Sequence, residues 1–99
     1  MKKKTHVERI TLMESHLDCA LHAVKHLEEA LDEYEHAAEA LASLADYYAS
    51  KEWLSDLDDD RNGLLPEGLK RGVLAEDSIW NLLTDAHELN ERMRLLSQA

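Results

Sequence analysis

The residues best placed to do chemistry are the acids of Asp58-Asp59-Asp60-Arg61-Asn62-Gly63. Asp58, Asp60, Asn62, Gly63 and Leu65 fall at relative positions one, three, five, six and eight of an EF-hand calcium loop, where oxygen ligands alternate and a glycine turns the chain. The pattern then stops. Position nine is Pro66, position twelve is Leu69 where a bidentate Glu is required, and Glu67 stands at the wrong offset. Acids near a helix C-terminus face an unfavourable dipole, each by about 0.3–1 kcal/mol, so a cation is expected beside them. Lys70 and Arg71, across a turn, or Arg61 would supply it without a metal. The stretch reads as a solvated acidic turn with basic partners; calcium held by Asp58, Asp60 and Asn62 is the alternative.

Histidine offers a second chemistry. His22 and His26 stand one helical turn apart, and Asp18 and Glu29 extend the row, a spacing that could hold zinc. In a heptad frame this row faces outward and no third ligand from another element is in view, so no specific site is assigned. Glu33 and His36 make one Glu-x-x-His, the spacing of di-iron bundles, but those sites need two inward copies and this one points outward. Cys19 lies near His16 and His22, which places a base near a thiol. With no oxyanion donors or enclosing pocket implied, a spare exposed thiol is the expectation. Gly63, Gly68 and Gly72 are too scattered for a phosphate loop. No catalytic residue and no cofactor is assigned, and enzyme activity is not expected.

Tyr47, Tyr48, Trp53 and Trp80 are expected to cluster at the main bend as a small aromatic core. Part of that group, with Lys70 and Arg71 beside it, could instead form an exposed partner site, because aromatics and Arg are enriched in binding hot spots.

The elements that carry these residues must be helices. A chain of 99 residues is one domain, and with three Gly, one Pro, no Phe and abundant Ala, Leu and Glu it favours helix over strand. A formal net charge of -10 repels a phosphate backbone, so nucleic-acid binding is not expected despite Lys2-Lys3-Lys4. Those lysines, with Met1, read as a frayed basic tail over residues 1–4. Glu8, Arg9, Glu14 and His16 interrupt any signal-peptide core, and no apolar run approaches the roughly 20 residues that span a bilayer. The single Cys19 suits a reducing compartment, so a soluble, cytoplasmic protein without membrane contact is expected.

The first helix is expected over residues 5–49. Thr5 and Glu8 have the spacing of a capping box, and neither Gly nor Pro occurs between Thr5 and Tyr48. Residues 50–75 read as a bend, short helices and the acidic loop. A new short helix begins about Ser50, the main loop follows over Asp56 to Gly63, and a second short helix spans Glu67 to Arg71 after Pro66. The last helix begins near Ala75, with Glu76 and Asp77 in its first turn, occupies residues 76–97 and returns antiparallel to the first. Its expected buried face is Ile79, Leu82, Ala86, Leu89, Met93 and Leu96, flanked by Leu83.

The first helix carries an unbroken heptad seam: Ile10, Met13, Leu17, Ala20, Val24, Leu27, Leu31, Tyr34, Ala38, Leu41, Ala45 and Tyr48. Ala23, Ala30 and Ala37 flank it at seven-residue spacing and allow close helix approach. The seam spans about 58 Å, and the last helix only about 33 Å. Leaving the uncovered half in water would forgo very roughly 10 kcal/mol of burial. An all-α helical bundle, dimeric through Ile10, Met13, Leu17, Val24, Leu27 and Leu31, is therefore expected; a first helix that bends and folds back as a monomer is the alternative.

The run Tyr47-Tyr48-Ala49-Ser50-Lys51-Glu52-Trp53-Leu54-Ser55-Asp56, then Leu65-Pro66 and Leu69-Lys70-Arg71-Gly72-Val73-Leu74-Ala75-Glu76-Asp77 before a further helix, resembles a family of small bacterial proteins known only as a domain of unknown function. That family has YYxSxxW and GVLSED runs. The resemblance covers most of the chain and implies an all-helical bacterial protein; it brings no activity with it. Ala75 stands where the family has Ser, which removes an N-cap hydroxyl and is expected to shift the helix start by a residue.

The expected function is a non-catalytic interaction or regulatory module that self-associates as a homodimer and could engage a further protein partner. The alternatives are a calcium-binding helical protein using Asp58 to Asn62, and an acidic decoy of a nucleic-acid-binding protein. Lys25 among Asp18, Glu28 and Asp32 mixes the charges on the outer face, which argues against the one-sided field that a decoy needs.

Overall fold

The computed structural model describes residues 5–75 and 77–98. The lysines of the expected basic tail, and Glu76 in the expected first turn of the last helix, lie outside the described residues. The elements are α1 (His6–Tyr48), α2 (Lys51–Arg61), a 3-10 helix (Gly72–Leu74) and α3 (Ser78–Ser97), with no strand among the described residues. The fold is all-α. The chain divides into two compact units, Met1–Ala38 and Glu39–Ala99, and α1 belongs to both.

Among the described residues of the first unit, all those after Thr5 are helical. Its start is set by reciprocal bonds: the Glu8 N–H donates to Thr5 Oγ1 at 3.1 Å, and the Thr5 N–H donates to Glu8 Oε2 at 3.4 Å. Two otherwise unpaired amide donors are thereby satisfied, and the Glu8 carboxylate sits where the helix dipole favours it. No residue of α1 is buried.

The second unit opens on the last turns of α1. The break after Tyr48 is made by Ser50, whose backbone turns extended (φ -92, ψ 161) and whose Oγ accepts from the Trp53 N–H at 3.3 Å, capping α2. The same hydroxyl donates to the Tyr47 carbonyl at 2.6 Å, so one side chain ends one helix and starts the next.

Two local expectations are corrected here. The acidic run is not a loop: Asp56 through Arg61 are the last turns of α2. Asn62 caps the helix and Gly63, at φ +69, takes the left-handed conformation that reverses the chain. The Gly63 and Leu64 N–H groups donate back to the Asp60 and Asp59 carbonyls at 3.1 and 3.0 Å, a Schellman closure. Nor is there a helix over Glu67 to Arg71. Gly68 adopts φ +81, which a right-handed helix cannot hold, and the Leu69 N–H closes a turn on the Pro66 carbonyl at 3.4 Å.

The last helix starts at Ser78, later than expected, with Asp77 at its N-cap making no side-chain cap bond. With Ala75 in place of a hydroxyl residue, the chain instead closes a 3-10 turn, Ala75 N–H to the Gly72 carbonyl at 3.2 Å, and Ser78 Oγ donates to that same carbonyl. The 3-10 helix packs against both α2 and α3 and holds the small core, since Leu74 and Ile79 are the buried hydrophobic residues.

The face that α3 turns inward matches expectation at Ile79, Ala86 and Met93, with the flanking Leu83, and differs at three leucines. Ile79, Leu83, Ala86 and Met93 are buried or half-buried, whereas Leu82, Leu89 and Leu96 are exposed. Both sets have helical period, and they differ by a rotation about the helix axis. Anchoring Ile79 beside the 3-10 helix selects Leu83 rather than Leu82 as the next inward residue. At the end of α1, Leu41, Leu44, Ala45 and Tyr48, half-covered together with Tyr47, keep the three-and-four spacing of the seam.

Candidate functional site

The corner between α1 and α2 is the best-organised side-chain cluster in the second unit. The Tyr48 and Trp53 rings meet edge-on, centroids 4.8 Å apart at 61°. Trp53 Nε1–H donates to the Val73 carbonyl at 3.0 Å, tying α2 to the 3-10 helix. The Tyr47 hydroxyl donates to Asp56 Oδ2 at 2.6 Å, a short bond of the kind a charged acceptor makes. That bond, then burial, then the negative charges of Asp56 and Glu52, push the Tyr47 phenol up to about 12 from its ordinary 10. Tyr47 is thus a hydrogen-bond donor over the physiological range and is not poised as a base.

Trp80 does not join this cluster: it is exposed on α3, turned outward by the rotation that buries its neighbour Ile79. Ser43, Asp46, Tyr47, Ser50, Lys51 and Glu52 line an open depression beside the corner. The Ser50 hydroxyl is already committed to both helix ends, and Tyr47 to Asp56, so neither is free to attack or to take a proton.

The acidic stretch cannot wrap an ion as placed. Residues two apart on a helix project about 200° apart at 3.6 residues per turn, so Asp58 and Asp60 diverge. Asn62 sits at the cap with its N–H on the Asp58 carbonyl at 3.0 Å. The cation expected near these acids is Arg71, whose Nη1 lies 2.6 Å from Asp60 Oδ1. Arg71 stands beside the 3-10 helix, so this ion pair brings the α2 end toward the segment that Trp53 also holds.

On the first unit, His22 and His26 lie ring to ring, centroids 4.1 Å apart, and Cys19 is a free, exposed thiol. Asp18, Glu29, Glu33 and His36 are exposed as well. Among the described residues no three His, Cys, Asp or Glu side chains gather as a metal site. What this unit does present is apolar surface: Ile10, Met13, Leu17, Val24, Leu27 and Leu31 are 59, 53, 50, 65, 57 and 38% exposed.

The family model for a domain of unknown function, DUF4298, matches residues 10–96. The chain belongs to the DUF4298 family. No match is found among the curated proteins or among the solved structures. The DUF4298 match takes in both the α1 stripe and the whole corner. The two runs that carry the resemblance, Tyr47 to Trp53 and Gly72 to Asp77, meet through the Trp53–Val73 bond and the packing of the 3-10 helix on α2. Residues of both runs contribute to the corner. Sequence reasoning named these residues but missed the Tyr47–Asp56 and Trp53–Val73 bonds; the second joins positions twenty apart, and no local pattern encodes it. No helix of the described residues is long and apolar enough to cross a membrane.

Proposed function

We propose that this DUF4298 chain is a non-catalytic self-association module that pairs with a second copy through the apolar stripe of α1. The observation that carries the proposal is the bare first unit: a helix with no buried residue and six large apolar side chains of one seam in water. An isolated helix draws its stability from propensity and neighbouring side-chain pairs alone, whereas an apolar seam of this regularity gains by meeting another. The corner is the scaffold that fixes the rest of the chain.

Sedimentation equilibrium at micromolar protein tests this. The expected mass is twice the 11.3 kDa of one chain, falling to one chain in the double variant Leu17→Asp, Val24→Asp. Because each copy carries a net charge of -10, added salt should tighten the pair by screening. A wild-type chain that stays monomeric throughout sinks the proposal.

A further inference from the structure

Histidine sets the net charge of the segment that bears the α1 stripe. Five of the six histidines, His6, His16, His22, His26 and His36, lie on α1, and all five are exposed. Between Ile10 and Leu31 the charged side chains are Glu14, Asp18, Lys25, Glu28 and Glu29, with His16, His22 and His26 among them. With neutral imidazoles this segment carries four negative charges and one positive, a net of -3; with all three imidazoles protonated it carries no net charge. The whole chain moves the same way, from -10 to -4 once its six histidines are charged. An imidazole makes that change between about pH 8 and pH 5. We infer that His16, His22 and His26 make pairing through the α1 stripe proton-dependent, so that self-association tightens as pH falls through the histidine range, an inference that rests on the dimer proposed above.

The groups around these histidines lie on α1 itself, since no residue of α1 is buried and the packing contacts between elements join the 3-10 helix to α2 and to α3. Asp18 stands one turn before His22 and Glu29 nearly one turn after His26. The two rings between them have centroids 4.1 Å apart, and Lys25 is the one permanent cation from Ile10 to Leu31. Glu14 and Glu28 directly follow Met13 and Leu27 of the stripe, and His16 directly precedes Leu17, so these three border the surface that meets the second copy. In the pair, the acids of each copy add to the negative field around the histidines of the other. The pair therefore takes up more protons than two separate chains, and by linkage lower pH favours it. Two segments of net -3 at the roughly 10 Å spacing of packed helices repel in dilute salt, and two neutral ones do not. Carboxylates as a class titrate lower, below about pH 5, so histidine is the group that changes charge over this range.

The test is sedimentation equilibrium on the full chain at about pH 7.5 and about pH 5.8, both above the pI of about 4.9, so isoelectric precipitation does not enter. In dilute salt, about 0.05 M, the dissociation constant of the wild type is expected to be about tenfold lower at the acid pH, and in about 0.5 M salt the difference should shrink to about twofold or less. The triple variant His16→Gln, His22→Gln, His26→Gln should match the wild type at the higher pH and keep about a threefold response or less. His87→Gln, on α3, should respond as the wild type does. Circular dichroism should show unchanged helicity in every variant, because all four histidines are exposed. If the wild type pairs equally at both pH values in dilute salt, the proton dependence is wrong and the homodimer stands. If the triple variant responds as fully as the wild type, or His87→Gln loses as much response as the triple variant, the assignment to His16, His22 and His26 falls and the homodimer stands. If the wild type is monomeric at both pH values, both fall.

Discussion

Tyr47→Phe isolates one bond at the corner. The substitution removes the hydroxyl that donates to Asp56 Oδ2 at 2.6 Å and leaves the ring in place. A hydrogen bond to a charged acceptor contributes about 1.5–3 kcal/mol when well shielded. Tyr47 and Asp56 are only half-buried and water can serve the carboxylate afterwards, so the expected loss is about 1–2 kcal/mol. In a urea titration this is a midpoint lower by roughly 0.5–1 M with an unchanged slope, at matched protein concentration. The pH dependence supplies a second check. The Tyr47 phenol is raised from 10 to about 12, so its contribution is complete below pH 10 and is lost as pH rises through 12, where the phenolate would face Asp56. The gap between wild type and Tyr47→Phe should hold from neutrality to about pH 9, narrow above 10 and close beyond 12. Equal stability at pH 8, or a gap that survives unchanged at pH 12, would refute the assignment of this bond.

Ser50→Ala should cost about 1 kcal/mol, read as a lower melting temperature, because the hydroxyl caps α2 through the Trp53 N–H; Ser50→Thr should restore most of it. Gly68→Ala should cost about 1–2 kcal/mol in the same assay, since φ +81 is left-handed and nothing lies within 4 Å of the added Cβ, so the penalty is backbone conformation and not a clash.

What the sequence by itself determined is the set of features held by neighbours in the chain. The Thr5–Glu8 box, the absence of breakers up to Tyr48 and the new start at Ser50 are all written within a few residues of where they act, because helix bonds and caps reach only three or four positions. The heptad seam was legible for the same reason, and so was the family resemblance, which lies in runs that contribute to the corner. Only the tertiary structure decided which of two stripes α3 turns inward. Leu82 and Leu83 are equally good inward residues by periodicity, and rotation about a helix axis changes no backbone hydrogen bond; the seating of Ile79 beside the 3-10 helix fixed the angle, exposing Trp80 and Leu89. The acidic stretch was decided by near and distant bonds together. Three aspartates at a helix end read locally as a loop, but Arg71 beyond the turn pairs with Asp60, and the closure through Gly63 lets α2 run to Arg61. Local bonds fix what each segment is, and long-range packing fixes which face it shows.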